Sequence, residues 1–248
     1  MAGIVLITGS SRGIGAATAL LAAKRGWDVC VNYVSKADRA EQVVAQIRAA
    51  GRNAIAVQAD TAKEADVKRL FEACDSGLGR ITALVNNAGI TGRAGRLESF
   101  DADAMRRVLE VSVIGTLLCT QEAVKRMSTR QGGQGGAIVN VSSVAAQLGG
   151  ANQWIPYAAA KGAVNSITTG ASKEFAAEGI RVNAIMPGLI DTEIHNEAGA
   201  GDRLQKVIPM VPMGRIGTAE ECAQAILWLM SGEAAYMTGT NLLISGGR

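Results

Sequence analysis

The chain has 248 residues, 25 basic and 22 acidic side chains for a formal charge of +3, and a composition that is 48% hydrophobic and 19% charged. That balance excludes a disordered, charge-rich chain, and the dispersed Lys and Arg exclude the long basic run that tracks nucleic acid. Cys30, Cys74, Cys119, Cys222 and the lone His195 form no metal-spaced cluster or disulfide framework, no apolar run is long enough for a bilayer, and no signal peptide precedes the first apolar segment, so no metal, no membrane and a cytoplasmic setting are expected.

Short apolar runs alternate with longer Ala-rich amphipathic stretches, a pattern of βα units around a parallel sheet. Strands are predicted at Gly3–Thr8, Val29–Val34, Asn53–Gln58, Ala83–Asn86, Ala137–Val141, Arg181–Met186 and Asn241–Ile244. Helices are predicted at Gly13–Gly26, Ala37–Ala50 with Gly51 as its cap, Lys63–Leu78, Asp103–Met127, Pro156–Glu178 and Ala219–Met230. Nothing between them reads as a domain linker, so residues 1–248 are expected to form one domain. The segment Asp191–Ile216 breaks the rhythm with Pro209, Pro212 and several glycines, and is expected to be a variable substrate loop or lid.

Thr8-Gly9-Ser10-Ser11-Arg12-Gly13-Ile14-Gly15 lies between the first strand and the first helix. Gly9 suits a tight turn, Gly13 lets backbone approach a pyrophosphate, and Gly15 allows close helix–strand packing at a helix N-terminus that attracts anions. At the end of the second strand, Asn32-Tyr33-Val34-Ser35-Lys36 has no carboxylate to accept a ribose 2′-hydroxyl, since Asp28 stands at the strand's opposite end. Arg12 and Lys36, with Asn32 and Ser35 as hydrogen-bond partners, are instead expected to face a 2′-phosphate, so NADP is expected over NAD.

Tyr157 and Lys161 stand one helical turn apart, where an ammonium is expected to favour the ionised phenol and lower its pKa from ~10. Val139-Asn140-Val141-Ser142-Ser143 ends a strand just upstream and brings a serine hydroxyl to the carboxyl edge of the sheet, where it can polarise a carbonyl oxygen.

With these residues the chain resembles the short-chain dehydrogenase/reductase family over Ile4–Gly247. The resemblance is carried by the loop Thr8–Gly15, Asn86-Asn87-Ala88-Gly89, Ser143, Tyr157 with Lys161, and Asn183-Ala184-Ile185-Met186-Pro187-Gly188 followed by Thr192. It implies an α/β, three-layer doubly wound fold with a seven-stranded parallel sheet ordered 3-2-1-4-5-6-7. It also implies Tyr157 as acid/base, Lys161 as its partner and ribose ligand, and Ser143 on the substrate oxygen. Asn87, Ala88 and Gly89 would line the adenosine side, Asp60 would bind the adenine with Thr61 beside it, and Pro187, Gly188, Ile190 and Thr192 would hold the nicotinamide. Ser11, Ile14 and Tyr33 complete the expected cofactor set. A homotetramer built on the helices Asp103–Met127 and Pro156–Glu178 is also implied.

The chain departs from the family pattern in three places. Ser112, in Val111-Ser112-Val113-Ile114-Gly115, stands where the family usually has a water-holding asparagine in the proton relay. The loop between Ser143 and Tyr157, with Trp154-Ile155-Pro156, is one residue longer than usual and makes Ser142 a competitor of Ser143. Ser245 precedes Gly246-Gly247 where an acid is common. The reading is an NADP-dependent oxidoreductase of a carbonyl or secondary alcohol: a 3-oxoacyl thioester, a sugar or another ketone. The alternatives are an NAD-dependent sugar or alcohol dehydrogenase and a weakly catalytic dinucleotide-binding regulator. His195, flanked by Asp191, Glu193 and Glu197, is read as a solvated loop residue, Trp154 and Met210 as candidate pocket residues, and Trp27, Met186 and Trp228 as packing.

Overall fold

The computed structural model describes residues 3–192 and 208–248. Among them seven strands form one parallel sheet: β1 (Ile4–Ile7), β2 (Asp28–Tyr33), β3 (Ala54–Gln58), β4 (Ala83–Asn86), β5 (Gly136–Val141), β6 (Ile180–Pro187) and β7 (Asn241–Ile244), in the order β3-β2-β1-β4-β5-β6-β7. The helices are α1 (Gly13–Lys24), α2 (Ala37–Ala49), α3 (Glu64–Gly77), α4 (Ala102–Leu109), α5 (Gly115–Met127), α6 (Ala145–Leu148), α7 (Ile155–Phe175) and α8 (Ala219–Met230).

The alternation of strand side chains divides the core in two. Val5, Ile7, Val29, Val31, Val85, Val139 and Ile185 face α1, α2 and α8, while Leu6, Cys30, Leu84, Ile138 and Val182 face α3 and α5. Both faces are covered, which is why the strands read as continuous apolar runs. Through the middle of the sheet runs a buried polar chain: Asn86 Nδ2 donates to Asn140 Oδ1 at 2.9 Å, and Asn140 Nδ2 donates to Thr168 Oγ1 at 2.9 Å. It fixes β4, β5 and α7 relative to one another directly below their functional ends.

Two features differ from the sequence reading. The helix expected over Asp103–Met127 is interrupted by a π turn, Glu110–Ile114, which carries Ser112 at its centre. One extra residue in the turn leaves the apolar periodicity on both sides intact, so the pattern reads as one helix. Helix α6 was not expected, because four residues are too few to show a period. Most of the expected lid, with Glu193, His195 and Glu197, lies outside the described residues; at its edges Ile190 bridges Gly217, and residues Ile208–Met210 form a single 3-10 turn.

Candidate active site

The carboxyl ends of β1, β4, β5 and β6 deliver the predicted residues to one edge of the sheet, starting with the glycine loop. Gly9 and Gly13 have φ of +61° and +56°, a backbone region that side chains disfavour. A Cβ on Gly15 would stand 2.6 Å from Asn87 Nδ2 and 2.7 Å from the Gly9 carbonyl oxygen, so only glycine lets α1 start this close to β4. The side chain of Arg12, the N-cap residue, makes no capping bond, and the first turn of α1 holds no acid, so the helix's own first turn leaves the positive end of its dipole uncompensated. Across from it, Thr192 Cβ would lie 3.7 Å from a Cβ built on Gly13. An anionic diphosphate fits this cradle.

The loop is clamped from both sides. Asn87 Nδ2 donates to the Thr8 and Gly9 carbonyls at 2.8 and 3.0 Å, while Thr8 Oγ1 accepts from the backbone N–H groups of Asn87 and Ala88 at 3.0 and 2.9 Å. From β2, Asn32 Oδ1 accepts from the Gly9 N–H at 3.0 Å, and Asn32 Nδ2 donates to the carbonyls of Ala59 and Val57 at 3.0 and 3.3 Å. This corrects the expectation for Asn32. Its buried amide points inward to hold the loop against β2 and β3, and does not face a 2′-phosphate. Ser35 and Lys36 are exposed beyond the strand, and Tyr33 is half-buried. Asp28 is engaged at the far end of β2, where it accepts from the Asn53 N–H and pairs with Arg52, both at 2.8 Å.

At the other end of the edge, two adjacent serines have separate tasks. Ser142 is buried and its hydroxyl donates to the Lys161 carbonyl at 3.0 Å, whereas the Ser143 hydroxyl accepts from the Ala145 N–H at 3.1 Å and stands beside the Tyr157 phenol. Ser142 therefore latches α7 to β5, and of the two serines it is Ser143 that stands beside Tyr157. Lys161 Nζ donates to the Val141 carbonyl at 2.6 Å and stands 5.6 Å from the centre of the Tyr157 ring. A Cβ on Gly89 would lie 3.2 Å from Lys161 Nζ and 3.6 Å from Ser112 Oγ. Gly89 is thus beside the lysine.

The electrostatics also differ from the expectation. Burial holds the Tyr157 phenol above its ordinary value, with the Ser143 hydrogen bond opposing this, and burial pushes the Lys161 ammonium down to about 8. The ammonium spends its short hydrogen bond on Val141, so desolvation outweighs any lowering of the phenol by the charge. Ser112 is fully buried, and its Oγ has no hydrogen-bond partner among the described residues. Asp60 Oδ1 accepts from the Ala62 N–H at 3.1 Å and Asp60 Oδ2 from Arg107 Nη2 at 2.8 Å. Pro187 ends β6 with its carbonyl accepting from the Val144 N–H at 3.0 Å, and a Cβ on Gly188 would meet Ser245 Cα at 2.8 Å. Ile190 is buried, Trp154 half-buried and Met210 exposed, while Met186 fills the core beside Asn165.

A family model described as enoyl-(acyl carrier protein) reductase matches residues 9–248. A solved short-chain dehydrogenase from Burkholderia cenocepacia J2315, in complex with NADP, superimposes with a TM-score of 0.89 at 34% identity over 98% of this chain and 96% of that one. The chain belongs to the short-chain dehydrogenase/reductase family. It is an oxidoreductase. The uncharacterized oxidoreductase YgfF of Escherichia coli (strain K12) is 49% identical over 245 residues, 99% of each chain. The 3-ketoacyl-(acyl-carrier-protein) reductase of Brucella melitensis, solved with NADH, has a TM-score of 0.91 at 34% identity over 99% of this chain and 98% of that one.

In this short-chain dehydrogenase/reductase the sequence reading missed the parts played by Thr8, Ser142 and Arg107. Thr8 stands at the head of the glycine motif and carried its own signal, a β-branched hydroxyl entering a turn. Arg107 carried none, because its partner Asp60 is 47 residues away in the chain.

Proposed function

We propose that this oxidoreductase interconverts a carbonyl and a secondary alcohol with NADP, and that Tyr157 is its acid/base. The observation that carries the reading is the placement of the Ser143 hydroxyl beside the Tyr157 phenol, next to the buried Lys161. When bound, the nicotinamide supplies or accepts the hydride. Ser143 and Tyr157 present two hydroxyls to one substrate oxygen. Because burial keeps the phenol protonated at neutral pH, Tyr157 is poised as a proton donor, which suits reduction of a carbonyl. Lys161 holds the ribose side and reloads the proton past Ser112. Asp60 and Thr61 take the adenine end, and Pro187, Gly188, Ile190 and Thr192 the nicotinamide end.

The choice of NADP rests on Arg12 at the start of α1, on Ser35 and Lys36 beyond the end of β2, and on the engagement of Asp28 elsewhere. Relatives solved with NADP and with NADH show that both dinucleotides are used by proteins this similar. The Km for NADPH is expected to lie below that for NADH and to lose this advantage in Arg12→Ala; an NADH preference in the parent refutes the choice. Simple ketones, 3-oxoacyl thioesters, enoyl thioesters and sugars, each followed by NADPH absorbance, identify the substrate, with carbonyl compounds expected to turn over and enoyl thioesters not. Tyr157→Phe is expected to lower turnover by roughly 10²–10⁴-fold with NADPH affinity unchanged; unaltered turnover refutes the role. The tetramer is supported by Leu109, Ile114 and Leu117, 42%, 44% and 40% exposed on α4, the π turn and α5, and light scattering tests it.

A further inference from the structure

The β3–α3 connection grips the π turn at both ends. Before the turn, Arg107 on α4 reaches Asp60 at 2.8 Å and also lies 3.9 Å from Glu110, the turn's first residue. Just after the turn, Gly115 is pressed against Thr61: a Cβ there would stand 2.9 Å from Thr61 Oγ1 and 3.1 Å from the Thr61 carbonyl oxygen. Thr61 itself is buried, and the Asp60 side chain is only 14% exposed. Between these two grips the turn carries the Ser112 hydroxyl, unpartnered among the described residues, into the space shared by Gly89 and Lys161 Nζ.

Contacts on both sides of the turn therefore tie Asp60-Thr61 to the segment that carries Ser112, and Arg107 makes the polar one. An aspartate with one oxygen on Ala62 and the other on Arg107 presents its remaining lone pairs in a fixed direction. Arg107 and Gly115 flank the π turn, so their contacts with Asp60 and Thr61 help to set its position.

We propose that Arg107 is a positioning residue that couples the adenine end of the cofactor site to the Ser112–Lys161 end. This rests on the dinucleotide reading above. The guanidinium orients Asp60 toward the adenine, and occupancy there tightens the π turn and fixes Ser112 beside Lys161. The two ends communicate through protein, without the nicotinamide.

Adenosine 2′,5′-bisphosphate, the adenine half of NADP, tests this by amide hydrogen exchange over residues 110–115. In the parent its binding is expected to slow exchange there several-fold. Arg107→Met is expected to weaken its binding up to about fivefold, a half-exposed ion pair being worth about 1 kcal/mol at most, and to show no slowing at saturating ligand. Arg107→Lys is expected to restore part of both effects. Arg106→Met, one residue away on an exposed pair with Asp103, is expected to match the parent. Slowing that persists in saturated Arg107→Met, or binding to the parent without any slowing, overturns the coupling. If neither the bisphosphate nor NADPH nor NADH binds the parent, the dinucleotide reading itself falls and the coupling falls with it.

Discussion

Lys161→Met gives a direct measure of what the site costs the fold. The ammonium is 4% exposed, and burial lowers it from an ordinary 10.5 to about 8. At about 1.4 kcal/mol for each pH unit, holding the charge inside destabilises the protein by on the order of 3 kcal/mol. The sign follows from which state binds the proton more tightly. Between about pH 8 and about pH 10.5 the unfolded chain keeps the proton that the folded chain has released, so stability from this residue rises with pH. Below about pH 8 both states are charged, so the full penalty of the buried ammonium is present and no longer varies with pH. Urea unfolding of the parent and of Lys161→Met at about pH 7 and at about pH 10.5 isolates the residue, because other titrations are common to the two proteins. A neutral amine still donates to Val141, so that hydrogen bond also cancels. The parent should gain on the order of 3 kcal/mol relative to the variant over this range. An unchanged difference between the two pH values refutes the burial argument.

Gly15→Ala forces a methyl group to within 2.6 Å of Asn87 Nδ2 and 2.7 Å of the Gly9 carbonyl oxygen. A loss of roughly 1–3 kcal/mol in urea unfolding is expected, with weakened NADPH binding by fluorescence titration. Ser112→Ala removes a buried hydroxyl that has no partner among the described residues, so thermal unfolding should be unchanged or raised while turnover falls. Equal loss of stability and turnover would assign Ser112 to packing alone. Asn32→Leu leaves the Gly9 N–H and the Ala59 carbonyl unpaired, and should cost roughly 1–3 kcal/mol of stability and weaken NADPH and NADH to the same extent. A selective loss of NADPH would mean that Asn32 reads the 2′-phosphate after all.

The strands and helices were legible because their signals are local. Apolar runs, Ala-rich amphipathic stretches and the glycines at their ends lie within a few residues of the elements they specify, and β4 and β7 have the bounds that the pattern predicts. The π turn was not legible, because it adds one residue without disturbing the apolar face on either side. The division of labour between Ser142 and Ser143 was hidden for another reason. Neighbouring residues at a strand end point in opposite directions, and which direction meets Tyr157 depends on where α7 packs.

Sequence alone determined the succession of strands and helices along the chain, the glycine loop with its requirement for Gly9, Gly13 and Gly15, and the one-turn spacing of Tyr157 and Lys161, since each is a matter of local backbone geometry; the order of the strands in the sheet came only with the family resemblance. Tertiary structure decided the rest. It turned Asn32 inward, brought Gly89 to the lysine and joined Asp60 to Arg107 across 47 residues. It also set the signs at the centre, raising the phenol and lowering the ammonium, because desolvation depends on everything packed around a group and not on its neighbours in the chain.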